Sequence, residues 1–232
     1  MRIEIWSDVV CPWCYIGKRR LESALAEFPH RDEVEVVYRS FELDPSAPQV
    51  GHESIREALA NKYGMGEEQT QQMMERVSQT AAAEGLRFAY EDAMHTKTID
   101  AHRLLHLAAE NGLQAELKEA LLAAYFTRGE SMGDPDVLRK TAADVGLDPA
   151  RVEEVLSGQE YAEAVQADIA QARAYGANGV PFFVVDQKYG VSGAQPKEVF
   201  AQLLDQAWAD SHPVLTTVGD VGEADSCGIG GC

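Results

Sequence analysis

The sequence has a long central block with almost no strand pattern, and this block separates two segments that do carry strand patterns. Residues 49–157 are rich in Ala, Leu, Glu and Gln, and their glycines and prolines are spaced like helix ends. Short strands do not form a stable sheet alone, so the strands before and after the block must meet in one sheet. We therefore predict an α/β fold in which a helical insertion interrupts a sheet domain.

The two end segments predict different kinds of strand pairing. In the first segment, a strand at 2–6, a helix at 12–28 and a strand at 33–41 form a β–α–β unit, whose right-handed crossover makes the two strands parallel. In the last segment, 181–185 and 189–193 flank a short turn and predict an antiparallel hairpin. The central sheet should therefore be mixed, with helices on its faces.

Further helices account for most of the remaining chain. They are predicted at 52–63, 67–84, 98–111, 113–127, 135–145, 149–157, 160–175 and 196–209. The elements divide the chain into a discontinuous sheet domain of residues 1–48 and 158–211, the helical insertion at 49–157 and a tail at 212–232. Five glycines within residues 219–232 predict that the tail is flexible.

The composition argues against several classes of partner. The chain has 232 residues, 45% of them hydrophobic, which is enough for a core that needs no disulfide or metal. Its net charge of −18 repels nucleic-acid phosphates and anionic lipid surfaces. We find neither an apolar segment long enough to span a membrane nor the apolar core of a signal peptide. These features predict a cytoplasmic protein, in which paired cysteines serve redox chemistry or metal binding.

One pair of cysteines lies where the first strand gives way to the first helix. In Cys11-Pro12-Trp13-Cys14, Cys11 is near the helix N-cap and Pro12 takes the first helical position. Free backbone N–H groups and the helix dipole favour the thiolate form of a cysteine placed there. Attack by Cys11 and resolution by Cys14 would carry two electrons through a mixed disulfide. The alternative, half of a zinc site, needs a second pair of ligands at comparable spacing.

Two segments of the sequence resemble a known family. Residues 6–17 (WSDVVCPWCYIG) and 179–184 (GVPFFV) are similar to the DsbA-like branch of the thioredoxin superfamily, and within it to the FrnE-like proteins. The resemblance implies a thioredoxin fold with a helical insertion, and a thiol–disulfide oxidoreductase with Cys11 as nucleophile and Cys14 as resolving cysteine. Its substrates would be protein or small-molecule thiols and disulfides. Glutathione or another thiol would be a co-substrate, and no cofactor is expected.

The resemblance also assigns the segment that faces the cysteines. It implies a catalytic cis-proline at Pro181, whose cis bond would turn the backbone of Val180 towards an extended substrate chain. An ordinary trans proline at the start of an edge strand is the alternative. Pro12 and an exposed Trp13 would complete the substrate-binding surface. Relatives commonly carry a buried acid six positions before the first cysteine, where this chain has Ile5.

A second pair of cysteines lies in the tail. Cys227 and Cys232 flank four residues, three of them glycine, so the pair could close a ring and relay electrons to Cys11 and Cys14. The alternatives are a pair of thiols without a specific role and a zinc ion held by all four cysteines. We expect no metal and treat Cys227 and Cys232 as a candidate second redox pair.

Two groups of residues in the insertion are further candidates for substrate contacts. A polar cluster could cover the dithiol, although the start of a helix capped by Thr98 explains it equally simply. This cluster consists of His95, Thr96, Thr98, Asp100, His102 and Arg103. Four methionines could line an adaptable peptide groove, although core packing is the simpler explanation. They are Met65, Met73, Met74 and Met94.

Two other classes of function remain as alternatives. The resemblance extends to glutathione-dependent isomerases and transferases of the 2-hydroxychromene-2-carboxylate isomerase type, and such an enzyme could act in polyketide metabolism. Those relatives generally have serine where this chain has Cys11. A non-catalytic binding or chaperone module would not need Cys11 at all. The complete Cys-x-x-Cys motif therefore favours the oxidoreductase.

Overall fold

A four-stranded sheet brings the two ends of the chain together. The computed structural model describes residues 1–91 and 93–213, so Cys227 and Cys232 lie outside the described residues. The strands are β1 (Arg2–Ser7), β2 (Glu35–Ser40), β3 (Phe182–Val185) and β4 (Tyr189–Ser192). They lie in the order β2-β1-β3-β4, with β1 and β2 parallel and the other pairs antiparallel. The predicted mixed sheet is therefore confirmed.

The described part of the chain contains nine α-helices and one short 3-10 helix, Arg31–Glu33. The helices are α1 (Pro12–Glu27), α2 (Ile55–Tyr63), α3 (Glu67–Ala83), α4 (Ile99–Glu110), α5 (Gln114–Arg128), α6 (Pro135–Asp144), α7 (Pro149–Ser157), α8 (Ala162–Ala174) and α9 (Lys197–Ser211). Each predicted helix is present, and its ends differ from the prediction by three residues or fewer. Of these helices, none combines the length and apolar character that crossing a membrane requires. The domain boundaries drawn above stay a prediction.

Helices cover both faces of the sheet. Side chains alternate along each strand, and apolar ones on both faces need to be buried. Ile3 and Ile5 of β1 face the core that α1 and α9 complete, where the rings of Phe183 and Phe200 lie 4.7 Å apart. Trp6 faces the opposite side and packs towards α8, and its indole N–H donates to the carbonyl oxygen of Asp168 at 2.8 Å. The sheet is therefore the middle layer of three.

Helix α1 belongs to two hydrophobic cores at once. Its Leu21 and Ala24 pack into the sheet core, whereas Tyr15 and Ile16 pack into a larger core formed mainly by the helices between β2 and β3. The larger core includes the fully buried side chains of Leu104, Leu107, Leu117, Leu121, Leu122 and Phe126. Burial of each such side chain contributes about 1.5–3 kcal/mol. The start of α1 is thus fixed between the sheet and the helical block.

Candidate active site

Cys11 lies directly before α1, at the turn that leaves β1. Its backbone is extended (φ −93°, ψ 114°), and Pro12, which has no N–H, takes the first helical position. The N–H groups of Cys14 and Tyr15 donate to the carbonyl oxygen of Cys11 at 3.1 and 3.3 Å. Both cysteine side chains are buried, and both thiols are reduced. The predicted place of the dithiol, at the junction of strand and helix, is confirmed.

The segment before β3 faces the dithiol. The peptide bond between Val180 and Pro181 is cis, so the trans alternative is wrong. The Cys11 thiol lies 3.6 Å from the carbonyl oxygen of Val180 and donates to it. A Cβ atom added at Gly17 would lie 3.2 Å from Pro181 Cγ, so a side chain there would press on the proline. Glycine therefore allows α1 to pack closely against the segment that the resemblance assigns to substrate binding.

The thiol of Cys14 is held in its protonated form. Burial is the largest cause, and the hydrogen bond and charge of Cys11 add to it, so the pKa of Cys14 lies well above its ordinary value. The charge of Lys118 and a backbone hydrogen bond with Asp8 act in the opposite direction. A protonated Cys14 leaves Cys11 as the sulfur available for the first attack on a substrate.

Asp8, in the turn between β1 and α1, is a buried carboxylate that orders the turn. Its oxygens accept hydrogen bonds from the N–H groups of Val9 and Leu43, at 2.7 and 2.8 Å. His102 Nε2 lies 3.3 Å from Asp8 Oδ1. Burial would raise the pKa of Asp8, but the bonds from His102 and Leu43 outweigh it and hold the pKa below its ordinary value. Burial lowers the pKa of His102, so near neutral pH Asp8 is ionised and His102 uncharged.

A cavity of about 620 Å³ opens beside Cys11. Apolar side chains of α2, α3 and the loop before α4 form one wall: Ile55, Ala58, Leu59, Met73, Met74, Val77 and Tyr90. Pro12, Trp13 and Val180 line the cavity on the side of the dithiol, and Trp13 is 42% exposed, as predicted. The structure therefore brings all three predicted substrate-binding residues together with Cys11. Their role in binding stays a prediction.

The polar cluster predicted in the insertion divides between two places. His95, Thr96 and Thr98 line the cavity, so this part of the cluster does border the dithiol. His102 and Arg103, one turn into α4, are buried and point into the protein instead. Thr98 takes the N-cap position of α4, as predicted, but its backbone (φ −116°, ψ 2°) is not extended and its side chain makes no cap hydrogen bond.

The predicted methionines also divide. Met73 and Met74 of α3 line the cavity, which agrees with the groove hypothesis. Met74 is at the same time fully buried in the helical core, which agrees with the packing hypothesis. Met65 and Met94 are absent from the lining of this cavity. A polarisable thioether suits both roles, since it packs well and adapts to a ligand.

The loop before α6 supports the cavity through a close contact at Gly133. A Cβ atom at this position would lie 2.3 Å from the carbonyl oxygen of Gln49 and 2.8 Å from Thr96 Cβ. We expect Gly133→Ala to lower the free energy of unfolding by about 1–3 kcal/mol, because the backbone of Gln49 must move. Chemical denaturation would measure this loss of stability. Gly179→Ala is the control, because a Cβ atom there would have no neighbour within 4 Å. Equal losses in the two variants would contradict the close packing at Gly133.

The predictions for the tail fall outside the described residues. They concern the second redox pair, Cys227 and Cys232, and the zinc site that this pair would share with Cys11 and Cys14. Within residues 1–91 and 93–213, no three His, Cys, Asp or Glu side chains are grouped so as to hold a metal ion.

Fold and site together define a thioredoxin-fold protein with a Cys-x-x-Cys dithiol opposite a cis-proline. Residues 2–205 match the DSBA-like thioredoxin domain family. The chain belongs to this family, and the resemblance to the DsbA-like branch is confirmed.

Solved structures of three other proteins are similar to this chain. A probable DsbA oxidoreductase from Streptomyces coelicolor, SCO1869, is 47% identical, with a TM-score of 0.87 over 100% of this chain and 98% of that chain. A 2-hydroxychromene-2-carboxylate isomerase is 13% identical, with a TM-score of 0.68 over 91% and 98% of the two chains. The cytosolic disulfide reductase DsbM from Pseudomonas aeruginosa, solved with GSH, is 18% identical, with a TM-score of 0.63 over 89% and 98%. The last two likenesses concern the fold alone.

Proposed function

We propose that this protein is a thiol–disulfide oxidoreductase whose redox centre is Cys11 and Cys14. The observation that carries the proposal is the position of the Cys11 sulfur. It lies at the helix N-terminus, 3.6 Å from the Val180 carbonyl oxygen and at the border of a cavity, with Cys14 one turn behind it. The 47% identity with a probable DsbA oxidoreductase supports the same class of activity.

The arrangement supports a two-step exchange. In the first step the Cys11 thiolate attacks a substrate disulfide, a mixed disulfide forms at Cys11, and one substrate sulfur leaves as a thiolate. In the second step Cys14 loses its proton and attacks the Cys11 sulfur, the Cys11–Cys14 disulfide forms, and the second substrate sulfur leaves with the electron pair. The substrate disulfide is thereby reduced and the dithiol oxidised. The same steps in reverse oxidise a substrate dithiol.

The surroundings of Cys11 suit an extended thiol substrate. The backbone of Val180 can pair with a substrate chain, while the apolar wall of the cavity accepts a side chain next to the reacting sulfur. The volume of about 620 Å³ lies within the range of about 300–1,000 Å³ that is typical of small-ligand pockets. We propose protein disulfides and small thiols as substrates, with glutathione or another thiol as co-substrate. The cytoplasmic location stays a prediction.

The isomerase alternative has weaker support. The fold is shared with 2-hydroxychromene-2-carboxylate isomerase at 13% identity, which concerns the fold alone. An isomerase would have no use for a second buried cysteine one helical turn behind the first. The hydrogen-bonded pair of cysteines therefore favours disulfide exchange.

Mass spectrometry of peptides from Cys14→Ser and wild-type protein would test the exchange. After treatment with oxidised glutathione, we expect the wild type to contain a bridge between Cys11 and Cys14. The Cys14→Ser variant lacks the resolving sulfur, so we expect it to accumulate a stable mixed disulfide at Cys11. The wild type should also reduce insulin in the presence of a small thiol. A wild type that never forms the bridge would overturn the proposed function.

A further inference from the structure

Lys118 of α5 is a buried lysine whose amine lies at the end of the strand that leads to the dithiol. Its side chain reaches the end of β1, 111 residues away along the chain, where Nζ donates to the carbonyl oxygen of Ser7 at 3.3 Å. The residue is 1% exposed, and its Nζ lies 5.9 Å from the centre of the Tyr38 ring. No carboxylate in the described part of the chain is within ion-pair distance of this amine. Lys118 therefore carries a buried charge without a direct ionic partner.

Lys18 is a second buried lysine, and its charge is paired with carboxylates. Lys18 of α1 is nearly as buried, but its Nζ contacts Glu22 Oε1 at 2.5 Å and Glu119 Oε2 at 2.6 Å. An unpaired buried ammonium is costly, because no opposite charge offsets the loss of its hydration. Such groups are found preferentially at functional sites. The contrast between the two lysines therefore points to a role for Lys118 beyond packing.

The groups that face Lys118 come from several elements around the dithiol. They are Cys11, Cys14 and Lys18 at α1, Asp8 in the turn before it, His102 on α4 and Tyr38 on β2. Of these groups, the two cysteines change charge when disulfides are exchanged. Burial lowers the pKa of Lys118 to about 8, while the charges of Cys14, Asp8 and Cys11 oppose the shift. Lys118 is therefore still mostly protonated at neutral pH.

Two buried polar atoms in the same place lack a hydrogen-bond partner among the described residues. They are Ser7 Oγ, on the residue whose carbonyl oxygen accepts from Lys118, and His102 Nδ1. Unsatisfied buried polar atoms are rare in native proteins, and each lowers stability. Together with the unpaired lysine, they show that this cluster behind the dithiol is not arranged for maximum stability.

We propose that Lys118 is a positioning residue for the resolving step, in which its buried ammonium stabilises the Cys14 thiolate that attacks the mixed disulfide at Cys11. This inference rests on the proposed function. The bond between the sulfurs of Cys14 and Cys11 forms as the bond between Cys11 and the substrate sulfur breaks. The substrate sulfur leaves with the electron pair and takes up the proton that Cys14 released. Lys118 keeps its own proton and supplies the opposing charge.

The test compares Lys118→Met with wild-type protein, using dithiobis(nitrobenzoate) as the disulfide. Attack by Cys11 releases one coloured thiolate, and attack by Cys14 releases the second, so the two steps are resolved in one stopped-flow trace. An opposite charge nearby lowers a pKa by about 1–3 units, so at neutral pH, where Lys118 is still charged, its loss should raise the pKa that governs the Cys14 thiolate by about one unit or more. For each unit of that rise the thiolate fraction falls about tenfold while its nucleophilicity rises about threefold, so the second release slows about threefold. The difference between the two proteins should shrink above about pH 8, where Lys118 loses its own proton.

Lys18→Met is the matched control, because it removes a buried lysine whose charge is already paired with Glu22 and Glu119. We expect it to release the second thiolate at the wild-type rate over the same pH range. A Lys118→Met protein with wild-type circular dichroism and a wild-type rate of second release at neutral pH would overturn the role of Lys118. If the wild type itself never releases the second thiolate, the proposed function fails instead, so the two failures are distinguishable.

A measurement on the wild type keeps the inference testable if Lys118→Met does not fold. Coupling between two charges is reciprocal, so a Cys14 thiolate must also favour the protonated form of Lys118. In NMR titrations of protein labelled at the lysine Cε atoms, we expect Lys118 to lose its proton at higher pH in the reduced protein than in the disulfide form. Identical midpoints in the two redox states would contradict the proposal.

Discussion

Replacing Cys11 with serine is expected to abolish disulfide exchange while the fold stays intact. The cysteine and serine side chains differ by one atom, and the contact of the thiol with Val180 O is long, at 3.6 Å, so little packing is lost. A hydroxyl cannot form a disulfide, and the one remaining thiol of the pair, that of Cys14, is buried, which raises its pKa. We expect the rate of insulin reduction to fall by at least about a thousandfold, to the level of the uncatalysed reaction.

The same variant separates the competing classes of function. An isomerase that uses a serine at this position would keep its activity in Cys11→Ser, and a chaperone module would still suppress aggregation of an unfolded client. Circular dichroism and a denaturation curve control for the fold. Insulin reduction by Cys11→Ser at the wild-type rate would show that the dithiol is not the redox centre.

The second large effect is expected at Arg103, whose guanidinium holds the end of α7. Arg103 is buried, and it donates to the carbonyl oxygens of Glu160 at 2.7 Å, Gly158 at 2.9 Å and Val155. It also pairs with Asp100 at 2.9 Å. Arg103→Met removes these donors and leaves their acceptors unpaired, so we expect the free energy of unfolding to fall by about 3–5 kcal/mol.

Arg151→Met is the matched control for this loss. Arg151 also contacts two acidic side chains, Glu154 and Glu160, but all three lie at the surface, where ion pairs contribute little. Urea denaturation of both variants measures the difference. If Arg103→Met proves as stable as Arg151→Met, the hydrogen bonds of Arg103 do not hold α7 in place.

Much of the fold could be predicted from local patterns. Glycine and proline positions set the helix ends because their effects act within one turn, and Pro135 and Pro149 do begin α6 and α7. The dithiol was equally predictable, since the turn after β1 and Pro12 place Cys11 at a helix start. The cis bond before Pro181 could not be predicted from the local sequence, because its geometry depends on contacts across the fold. The family resemblance predicted it instead.

The surroundings of the dithiol could be predicted only in part, because they come from distant segments. The cavity wall combines α2 and α3 with the turn after β1, and periodicity gives no docking angle between such elements. Lys118 did leave a signal. It precedes Leu121, Leu122 and Tyr125 at the spacing of one helix face, so a lysine on an apolar face could have been noticed. The sequence gives no sign that this face would end beside Cys14.

Sharing of α1 between the two cores has a consequence for engineering. The helical block cannot be excised and its ends joined by a short linker, because Tyr15 and Ile16 would then be exposed on the helix that begins at the dithiol. Local opening of the block should loosen the same turn, so amide exchange in the block and in the turn should rise together. A substitution on either side of this contact therefore bears on the other side as well.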